Sequence, residues 1–280
     1  MLRTCKLDEY SIVRHLEYQA MTSHRYAIIE PSLFDDLLVY VYQQNPVLEW
    51  DYLLGHELKA RSPIIIKLTG NESHDDFLNR FIAQPSGSLF SSSLDFKAFQ
   101  QQAFYSYNIV KGSGNKATLR FYDPRVILSL IIALTEEQKT QWLNGIDTIQ
   151  WYQNGHWYRY QYRHSSLAIE FNNDNSIVIT NKQLALMDDV RKWQIVDELS
   201  TQYQPFIPEP YQAINILLDA EKYFPLMALD YENYLRMRMD IGCLEKEPQW
   251  MSVKLSEAEL PLSTRIKEIH QQVKSKEVTL

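Results

Sequence analysis

The stretch "LRFYDPRVILSLIIAL", residues 119–134, decides how the chain is read. Strand-type residues run up to Asp123, whose side chain suits the free amides that open a helix. Pro124 follows at the first helical position, where its missing N–H costs nothing. From Val126 to Leu134 the residues are apolar except Ser129, so the helix belongs in a core. Asp123 and Pro124 together make a tight strand-to-helix corner. Arg125 is the misfit: a cation in the first turn opposes the helix dipole, by roughly a few tenths of a kcal/mol if exposed. It needs a counter-charge, either in the fold or on a partner. Asp123 is the nearest candidate, and Asp95 and Glu30 are others. A carboxylate inside the fold is the commoner case and is the expectation here, with Arg120 joining the same cluster.

Working outward, the same strand-then-helix pattern recurs upstream. "YAIIE" (26–30), "SPIIIKLT" (62–69), "GSLFSSS" (87–93) and "KATLRFYD" (116–123) read as strands. Helices follow them, opened by Ser32 with Asp35, by Ser73 with Asp76, by Ser92 with Asp95, and by Asp123; Thr135 with Gln138 opens one more. This alternation predicts a sheet that is parallel at least in part, with helices packed on it. Beyond residue 146, "IDTIQWYQ", "HWYRYQYR", "LAIEF" and "SIVIT" read as an antiparallel meander, the first two joined by Asn154-Gly155. After Thr180 the periodicity turns helical, with Leu186, Val190, Trp193 and Val196 near one face. Pro205, Pro208 and Pro210 mark a break. Helices are expected at about 211–223 and 226–241, then from Thr264 to Lys276 with Ile266, Ile269 and Val273 on one stripe. The expected fold is α/β (α+β): a mixed sheet with flanking helices, an antiparallel meander and a C-terminal helical lobe. The expected domains are 1–180 and 181–280.

The chain has 280 residues, 45% hydrophobic and 22% charged, with a net charge of −7. An acidic total argues against general nucleic-acid binding, which runs on phosphate neutralisation. No apolar run approaches the roughly 20 residues that a membrane span needs, and the N-terminus lacks a signal peptide's apolar core. The expectation is a cytoplasmic protein. Cys5 and Cys243 fit no metal or redox spacing and read as free thiols.

The motifs that carry chemistry are absent from the sequence. "KGSGNKATL" has Gly112 and Gly114 but neither the third glycine of a dinucleotide loop nor the Gly-Lys-Ser/Thr of a phosphate loop. His56-Glu57 lacks the second histidine of a zinc-protease helix. His74-Asp75-Asp76 has no partner spacing, and acidic residues at a helix start are already explained by the dipole. The expectation is no catalytic, cofactor-binding or metal residue. "WYQNGHWYRYQYR" (151–163) sends Tyr158, Tyr160 and Tyr162 one way and Trp157, Arg159, Gln161 and Arg163 the other. A half-buried sheet accounts for this. Such a surface also suits a protein partner, making Trp151, Trp157, Arg159 and Arg163 candidate contacts. A single-stranded nucleic acid is the alternative occupant. An enzyme assembled from distant residues such as His56, Asp123 and Arg125 is the alternative to a binding protein.

Arg120, Phe121, Tyr122, Asp123, Pro124 and Arg125, followed by an apolar helix, Thr135 with Gln138, and a short strand ending at Trp151, resemble the effector-chaperone family of bacterial type VI secretion, catalogued as a domain of unknown function. "RYAIIE" (25–30), "SPIIIKL" (62–68), "GSLFSSSLDF" (87–96) and "VITNKQLALMDDV" (178–190) resemble further parts of it, so the resemblance covers about 25–190. It implies a cytoplasmic, non-enzymatic adaptor without a cofactor. Such an adaptor binds a cognate toxic effector and helps load it onto the VgrG spike. The corner residues Arg120, Tyr122, Asp123, Pro124 and Arg125 are then either structural or partner-binding.

Overall fold

A computed structural model describes residues 7–19, 21, 24–34, 36–43, 48–68, 74–84, 86–111, 114, 116–162, 177–202, 210–225, 228–243 and 246–277. Its strands are β1 (Ile12–His15), β2 (His24–Ile29), β3 (Trp50–Tyr52), β4 (Ile64–Leu68), β5 (Gly87–Ser92), β6 (Asn108–Lys111), β7 (Lys116–Thr118), β8 (Ile146–Gln153), β9 (His156–Gln161) and β10 (Ile177–Ile179). The helices are α1 (Leu37–Gln43), α2 (His74–Ala83), α3 (Phe96–Tyr107), α4 (Pro124–Ala133), α5 (Glu136–Trp142), α6 (Asn181–Gln202), α7 (Pro210–Ala220), α8 (Ala228–Asp240), α9 (Gln249–Leu255) and α10 (Leu262–Glu277). Two compact units divide the chain, Lys6–Asp188 and Asp189–Leu280.

The fold class is mixed α/β, as expected, but the strand directions differ from the expectation. The main sheet runs β1-β9-β8-β5-β2-β4-β3 and every pair in it is antiparallel. The strand-helix alternation is still visible inside it. β4 and β5 are each antiparallel to β2, so they run the same way, joined by α2. β2 occupies the slot between them, which makes this a split crossover. Periodicity cannot show that a third strand lies between two others. It also passed over the short strands β1 and β3. Parallel pairing occurs where β10 joins β6 in a second, three-stranded sheet completed by β7. "SIVIT" therefore leaves the expected meander, while "LAIEF" lies outside the described residues. The β8–β9 hairpin turns at Asn154 (φ 51°) and Gly155 (φ 78°), the left-handed pair that a two-residue loop requires.

Helices cover both faces of the sheet. On one face Ala27, Ile29, Ile64, Ile66 and Leu89 meet Phe34, Leu37, Tyr40, Val41, Phe77 and Phe81 of the α1 and α2 layer. On the other, Tyr26 stacks on Phe99 of α3 at 4.0 Å, and Phe90 packs against Phe121 at 5.9 Å. Gly87 lets β5 approach β2, because a Cβ there would sit 1.9 Å from the Ile28 carbonyl oxygen. The expected helix after Ser32 begins later, at Leu37. Asp36 sits at φ 55°, outside helical space, and the Ser32 hydroxyl donates to Glu30 instead. The α3 cap is Asp95, accepting from the Ala98 amide at 2.8 Å; Ser92 instead donates to the Gly145 carbonyl.

Two capping boxes interlock at the far end of α4. Thr135 and Gln138 open α5 reciprocally, and Thr180 and Gln183 open α6 in the same way. Gln183 Nε2 donates to Gln138 Oε1 at 2.6 Å and to the Ala133 carbonyl at 2.9 Å. Gln138 Nε2 reaches the Val178 carbonyl at 2.5 Å. Each glutamine thus caps its own helix and binds the chain around the other.

The unit Asp189–Leu280 is helical, with a core including Val196, Ile214, Leu217, Leu235, Met237, Met251, Leu255, Ile266 and Ile269. Helices α7, α8 and α10 fall close to the expected segments; α9, seven residues long, was not legible as a period. A buried ion pair crosses this core. Arg238 is 1% exposed and reaches Glu247 at 3.2 Å. That carboxylate also accepts from Tyr223, Tyr234 and Ser252. Losing one partner of such a pair strands the other charge in the core.

Two outcomes follow. Gln138→Ala and Gln183→Ala each cost about 1 kcal/mol in urea melts. Their double variant costs less than the sum by about 0.5 kcal/mol or more, and strict additivity would contradict the interlock. Gly87→Ala clashes with rigid backbone, so loss of the cooperative melt is expected and a wild-type midpoint would contradict it.

Candidate functional site

The corner that opens α4 sits against two inner strands of the main sheet. β7 ends at Thr118, so Arg120 is not on a strand as expected. The chain instead turns twice. The Leu119 carbonyl accepts from the Phe121 amide and the Arg120 carbonyl from the Asp123 amide, at 2.8 and 2.9 Å. Leu119 N donates back to the Tyr107 carbonyl, which ties the turn to the end of α3. The Tyr122 carbonyl accepts from Ser88 of β5 at 2.7 Å, and the Tyr122 hydroxyl donates to Glu30, just past β2, at 3.0 Å. Eight of the ten residues of α4 are buried; Val126 is half-buried and Arg125 is the exposed one.

Arg125 finds its counter-charge in Asp123. Its Nε and Nη2 lie 2.9 and 2.6 Å from the two carboxylate oxygens, and its backbone amide donates to the same group. The aspartate therefore caps the helix and holds the arginine at once. Arg120 does not join that cluster. It reaches Glu30 at 3.4 Å, where the Tyr122 hydroxyl also arrives. Asp95 is occupied in capping α3. The result is two neighbouring ion pairs, each with its acid inside and its base outside: the Asp123 and Glu30 side chains are 12% and 13% exposed, those of Arg125 and Arg120 are 58% and 56%. The hydrogen bonds it donates to Asp123 raise the pKa of Arg125. Burial, and then the charge of Glu30, push the Tyr122 phenol well above its ordinary value.

The hairpin candidates are placed differently. Trp151 and Trp157 are buried and offer a partner no surface in this conformation. Trp157 stacks on Phe81 of α2 and Trp151 on Tyr158 of the facing strand. The expected aromatic face of β9 is buried, at Tyr158, Tyr160 and Tyr162, but the opposite face is not open throughout: Trp157 is covered by Phe81 of α2, and β1 adds a strand beyond β9. Arg159 is half-buried between Val13 and Gln150 in the register. Arg163 lies outside the described residues. His56 lies 3.5 Å from Asp51 at the β3 edge, and Asp123 pairs with Arg125 at 2.6 Å. Among the described residues, no three His, Cys, Asp or Glu side chains are grouped to hold a metal ion, and no helix is long and apolar enough to cross a membrane. Cys243 is a half-buried free thiol whose pKa is raised by burial; Cys5 lies outside the described residues.

One arrangement escaped the sequence altogether. Tyr42, Trp50, Tyr52 and His56 form a chain of edge-to-face rings, 5.2 to 5.7 Å apart, along the β3 edge of the sheet. The four aromatics come from a helix, a strand and a turn, so no single period could reveal them.

Residues 25–141 match the family model described as Domain of unknown function (DUF4123), a family known for type VI secretion effector chaperones and adaptors. The resemblance carried by the corner is thereby shown for that stretch, which is less than half of the chain. It stops short of Trp151 and of the 178–190 segment. No curated protein and no solved structure matches the chain. The family is associated with effector adaptors and points to a non-catalytic role.

An exposed bidentate pair is worth about 1 kcal/mol or less, so Arg125→Ala should fold and melt within a few degrees of wild type. Asp123→Ala loses the cap as well and should cost about 1–2 kcal/mol more in urea melts. Equal melts for both variants would contradict the double role of Asp123. Alkaline pH tests the buried phenols. Tyr26 is pushed from 10.0 to about 12, by burial first and then by Asp95, and Tyr122 is also raised. The unfolded chain releases these protons near pH 10 while the fold retains them. Their stabilisation is therefore full below pH 10 and is lost as the pH rises toward 12. The urea midpoint should fall across that window, less steeply in Tyr122→Phe, and a flat profile would contradict the assignment.

Proposed function

We propose that this protein is a cytoplasmic, non-catalytic chaperone or adaptor that binds a cognate type VI secretion effector, a toxin, and helps load it onto the VgrG spike. The observation that carries this reading is the family match over 25–141, with the corner Arg120, Tyr122, Asp123, Pro124 and Arg125 inside it. The form of the corner supports a binding role: a helix otherwise buried or half-buried presents one arginine to solvent, held in place from below. Arg159, and Arg163 beyond it, remain proposed partner contacts. On this reading residues 1–180 carry the effector-binding domain and 181–280 the helical C-terminal lobe, with the first turns of α6, up to Asp188, grouped with the α/β unit. The role needs no nucleotide, metal or other cofactor; hand-over proceeds by competing contacts when the spike assembles. The net charge of −7 supports a protein partner over nucleic acid.

Co-expression with the product of the adjacent gene tests the proposal. A complex that survives size-exclusion chromatography, and an effector that loses solubility when expressed alone, are expected. An adjacent product that stays soluble alone and elutes separately would contradict it.

A further inference from the structure

Arg120 and Arg125 are displayed differently from ordinary surface arginines. Each stands on a largely buried carboxylate that already has partners inside the fold. Asp123 accepts from the Arg125 amide, Nε and Nη2; Glu30 accepts from Tyr122 and Ser32 and pairs with Arg120 at 3.4 Å. The negative charge therefore lies beneath, while the guanidinium edges point to solvent. A guanidinium has five N–H donors, and the bidentate contact to Asp123 uses two, so Arg125 keeps three for an outside acceptor. The two residues belong to one six-residue turn fixed by backbone hydrogen bonds and by the buried body of α4. Much of the side-chain entropy lost on binding is already spent in the free protein.

Resting on the adaptor reading, we infer that this arginine pair is a recognition site for an acidic segment of the effector, with Asp or Glu carboxylates seated on the outward edges of Arg120 and Arg125. Planar carboxylates match the guanidinium fork, which an ammonium could not reproduce. The structural demand on the corner is met by Asp123, Pro124 and Tyr122 alone. A cation at the second position of α4 works against the helix dipole and has no role in the core, so its use lies outward. The rest of the chain is acidic overall, so an acidic segment is favoured at this corner and disfavoured over the molecule at large.

The test measures binding of the purified adjacent-gene product to the full chain by titration calorimetry at 50 and 300 mM NaCl. Wild type should weaken at least threefold with salt. Arg120→Gln combined with Arg125→Gln should keep a cooperative melt and bind about tenfold more weakly at 50 mM, with most of the salt dependence gone. Arg125→Lys, which keeps the charge without the fork, should lie between. Equal affinity of wild type and the double variant overturns the inference while leaving the adaptor reading intact. A salt-independent wild-type affinity overturns it even if the double variant does not fold. Absence of wild-type binding overturns the adaptor reading itself. Corner-dependent binding of a fluorescent single-stranded RNA, with effector binding unaffected in the variants, would assign the pair to nucleic acid and overturn the inference.

Discussion

The hydrogen bond from the Tyr122 hydroxyl to Glu30 is the contact on which the α/β unit turns. It joins the end of β2, an inner strand, to the corner from which α4 departs, and Ser88 fixes the same residue from β5. An apolar helix such as α4 has little polar surface to orient it. Its direction is set where it starts, by Tyr122 behind the corner and by Asp123 and Pro124 at its first turn. Once the start is fixed, Ile127, Leu128, Leu130 and Ile131 are buried and the far end delivers Ala133 to the interlocked caps of α5 and α6. Glu30 accepts from Tyr122 and Ser32 within the fold, and Arg120, 3.4 Å away, pairs with it from the solvent side.

The corner was legible because its local chemistry is strong. Asp-Pro before an apolar run admits few conformations, and Asp123 was already the nearest carboxylate to Arg125. The capping box at Thr135 and the hairpin at Asn154-Gly155 were readable for the same reason: both are decided within four residues. What sequence could not supply was neighbourhood. That Glu30 serves Arg120 and Tyr122, that β2 separates β4 from β5, and that Gln138 meets Gln183 are facts about residues tens of positions apart. The tryptophans of the hairpin misled for a related reason. Alternation along β9 gives two faces, but only the packing of helices on both sides and of β1 at the edge determines that neither face at Trp157 and Tyr158 is open.

The helical unit uses charge in the opposite sense. Arg238 and Glu247 are both inside, and their value is to specify which helices meet, at the cost of desolvating two ions. At the corner the acids are largely buried and the bases exposed, so little is lost by desolvating the cations and they remain available to a partner. The same residue types thus make a structural pair in one unit and a presented pair in the other. The difference lies in which member reaches water.

The central claim is that the outward edge of the Arg120–Arg125 pair is where the effector touches the protein. Side-chain Nε–Hε resonances of the arginines report on this directly in a 15N-labelled, perdeuterated sample. In the free protein the Arg125 Nε–H, bonded to Asp123, should exchange slowly with water. On adding the unlabelled adjacent-gene product, the Arg120 and Arg125 resonances should shift together and saturate at the stoichiometry of the complex. A saturating complex in which both resonances stay at their free positions, while backbone amides elsewhere shift, would contradict the account.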